Sequence, residues 1–400
     1  MKVLTYLKVL FCAPVFIFQI SCVPHHQVLE KQFKKNDLLS AIVFNPDYEV
    51  QIIYTLVHPR TGKPETYHFQ VNSARYFYPA STVKMPVAFL AIEKIRQLQQ
   101  SGYLLNPETT MLHQASTIPQ TTSFSDETSM NKLPSVKRYV EKIFLVSDND
   151  AYNRLYEFLG QDSINEILRR KKVFTSSVIN HRLGVQQYDA EDNRRANPVE
   201  FRENGHMVYS IPERLTTTIY RHQARQAIKG NGYLDLSGRL IEKPFDFTGK
   251  NFYQLEDLHK TLMRIMNPEW FPPEERFQIL PEDYRFLRET MKKLPRQDFW
   301  YAQDTTLHDS YVKFFMFGDT KDTIPDHIHI YNKPGCAYGY LLDCAYIEDT
   351  KEGVSFFLTA VIHVNKNKIY NDGLYEYDSV GYPFFAELGR VMYQFSKKKQ

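Results

Sequence analysis

Ser81 lies three residues before Lys84 in the stretch 78–99, and this pair of residue types could carry out nucleophilic catalysis. A hydroxyl is a weak nucleophile until a neighbour takes its proton, and a partly desolvated lysine can be that neighbour. Residues three apart share a helix face, so a helix start here would point both side chains the same way. Pro79 and the capping character of Ser81 favour such a start, and Pro86 predicts a slight distortion early in the helix.

The Ser-x-x-Lys pattern needs support from elsewhere, because it recurs at Ser396–Lys399 in a basic tail where catalysis is not expected. An ordinary capped core helix also explains the first copy. Two further polar clusters follow in the chain: Ser147-Asp148-Asn149 between two helical stretches, and Lys333-Pro334-Gly335 after a strand. Each cluster alone has an ordinary interpretation, the first as a helix cap and the second as a turn.

The composition is that of a globular protein, with 43% hydrophobic and 24% charged residues in 400 positions. This length suits two ordinary domains or one large domain with insertions. The net charge of +3 is small and the basic residues are dispersed, so we expect no nucleic-acid partner. The sequence shows no phosphate-binding loop and no dinucleotide fingerprint, and no cofactor is implied.

The N-terminus has the pattern of a secretory signal, with a basic start, an apolar run over 9–20 and then Ser21-Cys22. A cysteine after a small residue resembles a bacterial lipoprotein signal, although residues 19–21 depart from its usual form. We therefore assign 1–22 as a signal peptide and expect lipidation of Cys22. This predicts an exported protein of the periplasm or cell envelope that is attached to the membrane. Plain cleavage nearby, or an uncleaved anchor, is the alternative.

The order of hydrophobic patterns places strands at both ends of the chain and helices between them, which predicts one antiparallel sheet with a separate helical layer. The predicted strands are 50–57, 67–71, 311–317, 327–332, 340–347 and 354–364, and the predicted helices are 81–99, 136–146, 151–159, 164–168, 258–266, 284–294 and 384–395. Residues 23–45 read as a tether and a first helix. Cys336 and Cys344 flank a predicted hairpin turn, with Cys344 opposite about Asn332, so we expect no disulfide between them.

Taken together and in this order, the three polar clusters resemble those of the serine β-lactamases and penicillin-binding proteins, most closely the class A β-lactamase-like group. That family has Ser-x-x-Lys at the start of a buried helix, Ser-Asp-Asn on an interhelical loop and Lys-Thr/Ser-Gly on an edge strand. The resemblance covers roughly residues 45–400. It implies an α+β sandwich, with the sheet built from 46–80 and 305–400 and a helical part over 81–300.

The resemblance also implies a role for each residue. Ser81 would attack a carbonyl and form an acyl-enzyme, while Lys84 would take its proton or lower its pKa. Ser147 would pass a proton to the departing nitrogen, and Asn149 would hold the amide side chain of the substrate. Lys333 would add positive charge against a substrate carboxylate.

An oxyanion hole follows from the same resemblance. It would consist of the backbone N–H groups of Ser81 and Cys336, with Gly335 before the latter. The implied ligand is a small β-lactam or a peptidoglycan-like peptide.

Three departures from the family limit what the resemblance implies. Pro334 replaces a hydroxyl that contacts a substrate carboxylate. No glutamate stands where class A enzymes place the base for deacylation, and Glu191 is only a weak candidate. The separation of Ser147 from Lys333 is larger than in compact class A enzymes, which indicates an added helical region within about 190–300.

Two other patterns were weighed against this interpretation. His327 and His329 share a strand face, but no third metal ligand has recognisable spacing. His308-Asp309-Ser310 is not a catalytic triad, since triad members meet in space rather than in sequence. The sequence thus predicts an exported serine hydrolase acting through Ser81 on a β-lactam or a related amide or ester. The alternative is a DD-peptidase-like protein or a non-turnover penicillin-binding protein of the envelope.

Overall fold

The computed structural model describes residues 25–58 and 61–399, so the signal peptide predicted over 1–22, with Cys22, lies outside the described residues. The helices in chain order are α1 His25–Phe33, α2 Asp37–Val43, α3 Lys84–Gln100, α4 Val136–Leu145, α5 Asn149–Leu159, α6 Gln161–Arg170, α7 Ala190–Arg194, α8 Leu255–Met266, α9 Pro281–Lys292 and α10 Tyr382–Lys397. Within the described ranges, no helix combines the length and apolar character needed to cross a membrane.

The strands form one large sheet and several small ones. In chain order they are β1 Gln51–Val57, β2 Pro64–Phe69, β3 Thr110–His113, β4 Arg195–Ala196, β5 Val199–Glu203, β6 His206–Ile211, β7 Arg214–Leu215, β8 Ile228–Lys229, β9 Gly232–Leu234, β10 Leu240–Ile241, β11 Phe245–Asp246, β12 Ile328–Asn332, β13 Gly335–Ala337, β14 Tyr340–Asp349, β15 Val354–His363 and β16 Ile369–Tyr370. The large sheet has the order β12-β14-β15-β1-β2, with β13 also paired to β14.

The large sheet joins the two ends of the chain, as the sequence predicted. β1 pairs antiparallel with β15, and Tyr54 lies opposite Leu358. Side chains alternate along β15, so Leu358 packs into the layer under α1, α2 and α10 while Phe357 packs into the layer of α8 and the helical part. Burying a large apolar side chain of this kind contributes roughly 1.5–3 kcal/mol. The predicted α+β sandwich, with an antiparallel sheet flanked by helices, is confirmed.

The hairpin between β13 and β14 turns at Tyr338 and Gly339, whose φ angles of 55° and 75° match a two-residue turn of the I′ type. Both flanking cysteines are free, which confirms the expected absence of a disulfide between them. Cys336 lies opposite Leu341. The register of Cys344 differs from the prediction by one residue, because Asn332 pairs with its neighbour Ala345.

Two predicted segments differ from the structure. The strand predicted over 311–317 is wrong: Asp309–Val312 is a short 3₁₀ helix, and the N–H of Phe314 donates to the side chain of Asp343 instead of to a strand. The region expected to be helical over 190–300 begins with the short helix α7, continues as short strands up to Asp246 and becomes helical again only from α8. In β5 every second side chain is buried, and this strand pairs with β3, which lies far away in sequence.

Candidate active site

Ser81 lies in a tight turn that leads into the buried helix α3. Ala80–Val83 form a 3₁₀ turn, and α3 begins at Lys84 rather than at Ser81. The backbone N–H of Lys84 donates to the Ser81 carbonyl, so the turn fixes the two residues relative to each other. The hydroxyl of Ser81 does not cap the helix; the side chain of Thr82 donates to the Pro79 carbonyl at 2.6 Å instead.

The backbone of the turn is strained, and packing holds it in place. Ala80 has a φ of 46°, a left-handed conformation that costs energy for a residue with a side chain. α3 itself is anchored in the core, where Val87, Phe89 and Ile92 are fully buried. The result is a fixed position for the half-buried Ser81 at the base of a cleft.

The ammonium group of Lys84 is fully buried and contacts the Ser147–Asn149 segment. It donates to the Ser147 carbonyl, to Ser147 Oγ at 3.3 Å and to Asn149 Oδ1 at 2.7 Å. Burial lowers the pKa of Lys84 from 10.5 to about 7, and the charge of Asp148 opposes this shift only in part. Lys84 can therefore exchange a proton near neutral pH.

The Ser147-Asp148-Asn149 segment forms the turn between α4 and α5. Ser147 has a left-handed φ of 57°, while Asp148 caps α5 by accepting the N–H of Ala151 at 2.7 Å. The ordinary cap interpretation is thus correct for Asp148 and leaves its two neighbours directed at Lys84. Gly184 packs against Asn149 so closely that a Cβ there would lie 2.6 Å from Asn149 Nδ2.

Lys333 follows β12 and reaches Ser147 from the opposite side. It is fully buried, and its ammonium donates to Ser147 Oγ at 2.8 Å and to the Pro334 carbonyl at 2.9 Å. The pKa of Lys333 is well below its usual value, first because of burial and then because of the nearby charge of Lys84. One hydroxyl therefore lies between two desolvated lysines, a geometry suited to passing a proton.

Gly335 brings strand β13 against the backbone of Ser81. A Cβ at this glycine would lie 2.9 Å from the Pro79 carbonyl and 3.0 Å from the Ser81 nitrogen. Only a residue without a side chain allows this approach. The next residue, Cys336, lines the cavity together with Ser81.

These residues meet at one open cavity of about 1010 Å³ between the large sheet and the helical part. It is lined by residues of all three polar clusters and by Cys336: Ser81, Ser147, Asn149, Pro334, Gly335 and Cys336. Lys84 and Lys333 lie directly beneath its floor through their contacts with Ser147. The structure thus brings together the residues that the sequence analysis selected at three distant points.

A buried polar group beneath Lys333 was missed by the sequence analysis. Lys313 donates to Asn332 Oδ1 at 2.7 Å, and Asn332 Nδ2 donates to both carboxylate oxygens of Asp343 at 2.8 and 3.0 Å. Burial lowers the pKa of Lys313 to about 7 and raises that of Asp343 to about 6. A signal was present, since Asp343 is the one charged residue in the otherwise apolar run 341–345.

The structure does not bring Glu191 to the cavity. Its side chain is 57% exposed on the short helix α7 and pairs with Arg195 at 3.1 Å. His329 approaches Glu348 at 3.4 Å on the outer strand β12, which gives it a packing role beside the sheet. Among the residues that the structure describes, no group of three or more His, Cys, Asp or Glu side chains is arranged to hold a metal ion.

The His308-Asp309-Ser310 segment is not arranged as a triad. Asp309 accepts from Arg296 at 3.0 Å rather than from His308. Ser310 Oγ contacts His308 Nδ1 at 2.8 Å and donates to the Thr320 carbonyl. Its proton is therefore already committed to a backbone acceptor.

Known structures with this fold were compared with the chain. PBP-A superposes with a TM-score of 0.53 and 13% identity, covering 92% of this chain and 97% of that protein. A class A β-lactamase representative from Bacteroides cellulosilyticus DSM 14838 superposes with a TM-score of 0.51 and 12% identity, covering 94% of this chain and 99% of that protein. A β-lactamase from Xanthomonas campestris pv. campestris superposes with a TM-score of 0.50 and 11% identity, covering 93% of this chain and 98% of that protein. At these identities the likeness establishes the fold alone.

The sequence itself identifies the family. No curated protein sequence matched the chain. The model of the β-lactamase enzyme family (Beta-lactamase2) matches residues 39–250, which is more than half of the 400 residues. The chain therefore belongs to the β-lactamase enzyme family.

Proposed function

We propose that this protein is an exported serine hydrolase that forms an acyl-enzyme through Ser81. The observation that carries the proposal is the pair of desolvated lysines, Lys84 and Lys333, which meet on Ser147 Oγ at 3.3 and 2.8 Å beneath the cavity that Ser81 lines. Such an arrangement supplies a base and a proton donor without a histidine.

The reaction begins when neutral Lys84 takes the proton of Ser81. The Ser81 oxygen then bonds to the carbonyl carbon of the substrate, and the developing oxyanion is held by backbone N–H groups at Ser81 and Cys336. As the carbon–nitrogen bond breaks, Ser147 gives its proton to the departing nitrogen and is reprotonated by the lysines on either side. For an ester substrate the departing atom is oxygen and the proton path is the same.

The substrate is a β-lactam or a related amide or ester, including a peptidoglycan-like peptide. Asn149 accepts from Lys84 through Oδ1, which leaves its Nδ2 group to donate to a substrate amide. Pro334 offers no hydroxyl to a substrate carboxylate, so recognition of that group rests on positive charge from Lys333.

A DD-peptidase-like or non-turnover penicillin-binding protein is the second candidate, and the position of Glu191 favours it. That side chain lies outside the cavity in an ion pair with Arg195. Two carboxylates line the cavity, Asp319 and Asp378, and Asp319 is already paired with Arg390 at 2.5 Å. With Glu191 outside the cavity, the acyl-enzyme would form faster than water hydrolyses it.

One experiment separates these candidates. The purified domain is mixed with a penicillin or cephalosporin, and intact mass and ring opening are followed together for wild type, Ser81→Ala and Ser396→Ala. Ser396 is a matched control, since its Ser-x-x-Lys copy lies on α10 and its hydroxyl bonds to Tyr54. Turnover lost only in Ser81→Ala supports the hydrolase, and a lasting adduct supports the second candidate. Both candidates would be refuted if neither an adduct nor turnover appeared with β-lactams, depsipeptides or esters.

Export and membrane attachment belong to the same proposal. They rest on the basic start, the apolar run over 9–20 and the position of Cys22. Labelling cells with a radioactive fatty acid should mark the wild-type chain and not Cys22→Ser. Recovery of the unlabelled wild type from the cytoplasmic fraction would contradict this part of the proposal.

A further inference from the structure

A second cavity of about 740 Å³ adjoins the active-site cavity and takes no part in the proposed mechanism. Most of its lining comes from residues 180–194 and 219–250. The two cavities share a neck, which is lined by Tyr78, Gly184, Gln186, Tyr338 and Asn371.

The walls of this second cavity are fixed by hydrogen bonds. Asn251 Oδ1 accepts the N–H groups of Asn180 at 2.8 Å and of His181 at 3.1 Å. Val178 and Phe252 exchange two backbone hydrogen bonds at 2.7 and 2.9 Å. The segment that carries Lys250 is therefore tied to the segment that carries His181.

Aromatic packing holds the same wall against the neck. The ring of Phe247 lies 6.1 Å from that of Tyr78 and 5.4 Å from that of Tyr338. Tyr78 in turn stacks on the ring of His181 at 6.0 Å. The cavity is thus formed before any ligand arrives, which lowers the entropic cost of binding.

The charges that line the cavity are unbalanced. Its three carboxylates have local partners: Asp189 caps α7, Asp235 pairs with Arg239 at 3.2 Å, and Asp246 accepts the N–H of Thr248 at 2.8 Å. In contrast, no hydrogen-bond or ion-pair partner for the Lys250 ammonium, or for the exposed Arg221 guanidinium, is found within residues 25–58 and 61–399.

Lys250 has the stronger need for an anion, because its side chain is partly buried. Burial lowers the pKa of Lys250 below its usual value. The pKa of the adjacent His181 is lowered first by burial and then by the charge of Lys250. An imidazole ring is either neutral or cationic, so His181 offers this cation no counter-charge, and its Nδ1–H donates to the Arg182 carbonyl. A desolvated cation without a partner is costly until an anion binds.

The neck lies where an acyl side chain of the substrate would leave the active site. Gly184 lines both cavities and packs directly on Asn149, the residue proposed to hold the substrate amide. A Cβ at position 184 would lie 2.6 Å from Asn149 Nδ2, so only a residue without a side chain allows this close packing. A chain attached to that amide therefore has an open route over Gly184 toward Lys250.

We propose that the second cavity binds a carboxylate at the far end of the acyl side chain of the substrate, with Lys250 as its counter-ion and Arg221 at the rim. The inference rests on the proposed function and narrows its substrate class to amides with an acidic acyl chain.

The test compares two cephalosporins that share one nucleus, one with a glutaryl side chain and one with the terminal carboxylate converted to a primary amide. The second-order rate of Ser81 acylation is measured by intact mass for wild type, Lys250→Met and the matched control Lys243→Met, whose exposed lysine does not line the cavity. Wild type and the control should prefer the glutaryl compound roughly tenfold, the scale of one charged hydrogen bond, and Lys250→Met should lose that preference.

The outcomes distinguish this inference from the proposed function. Equal rates for the two compounds in wild type, or a preference that persists in Lys250→Met, overturn the inference while acylation itself stands. If neither compound acylates Ser81, the proposed function fails, and binding of the glutaryl compound to Ser81→Ala is then measured by calorimetry. Weaker binding to the double variant Ser81→Ala/Lys250→Met than to Ser81→Ala supports the anion site, and equal binding to the two variants overturns it.

Discussion

Lys333 donates a 2.8 Å hydrogen bond to Ser147 Oγ, although 186 positions separate the two residues in the chain. The bond joins the last strands of the large sheet to the loop between α4 and α5. The bond connects the large sheet to the helical part at the site. The proton path proposed for Ser147 therefore depends on how these two layers pack against each other. Substitutions on either side should therefore affect the chemistry in measurable ways.

Replacing Lys333 by Met should slow Ser81 acylation roughly 10²-fold, because Ser147 loses one of the two lysines that flank it. Stability should not fall, since the change removes a buried cation that lies near another cation. Intact-mass kinetics give the rate and thermal melting gives the stability. Lys366→Met, on the exposed surface, is the control. Equal rates in both variants would refute a role for Lys333.

Acylation should depend on pH through Lys84. Its pKa lies at about 7 because of burial, and only the neutral amine can accept the proton of Ser81. The rate should rise about tenfold per pH unit below pH 7 and level off above it. Stopped-flow acylation between pH 5 and pH 9 measures this profile. A rate that falls as pH rises would show that the charged form of Lys84 is the active one.

Gly335→Ala should impair catalysis by moving the backbone around Ser81. The new Cβ would lie 2.9 Å from the Pro79 carbonyl and 3.0 Å from the Ser81 nitrogen, and neither backbone atom can give way without shifting the turn. A misplaced oxyanion donor costs roughly 10²-fold in rate. Gly353→Ala is the control, since it lies in the turn between β14 and β15 and its Cβ would meet no atom within 4 Å. Similar acylation rates for both variants would contradict the prediction.

Asp343→Asn should lower the free energy of unfolding by about 1–3 kcal/mol. The carboxylate accepts from Asn332 Nδ2 through both oxygens and also from the N–H of Phe314. An asparagine at this position would replace one accepting oxygen by an NH₂ group, which would then face the N–H donors of its neighbours. Urea denaturation measures the change. The exposed Asp326→Asn should change stability by less than about 0.5 kcal/mol, and equal effects would contradict a structural role for the buried network.

Glu191→Gln should leave the lifetime of the acyl-enzyme unchanged. The side chain is exposed and pairs with Arg195, so it has no route to the ester bond at Ser81. The decay of the adduct after removal of free β-lactam, followed by intact mass, gives the lifetime for both proteins. A markedly longer lifetime in the variant would restore Glu191 as the base for deacylation.

Local chemistry explains what the sequence could predict. The positions of Ser81 and Lys84 relative to each other depend on one turn, and the alternating side chains of β15 indicate a strand whatever its partners are. The order of the three polar clusters then sufficed to place the site between the sheet and the helical part.

Long-range pairing explains what the sequence could not predict. β5 is a strand because β3 and β6 receive its hydrogen bonds, and β3 lies almost ninety positions earlier. The contact between Asn332 and Asp343 likewise depends on the register of β12 against β14. No local pattern encodes either partner, so the buried group under Lys333 became visible only in three dimensions.

If Cys22 carries the proposed lipid, the start of α1 at His25 sets the greatest distance between this helix and the membrane. Three residues at full extension span about 10 Å, so a lipid on Cys22 would hold α1 within that distance of the bilayer surface. α1 packs beside β2 in the layer shared with α10. The lipidated protein would then act on molecules at the membrane surface or on molecules that diffuse to it. It would not reach substrates far from the membrane.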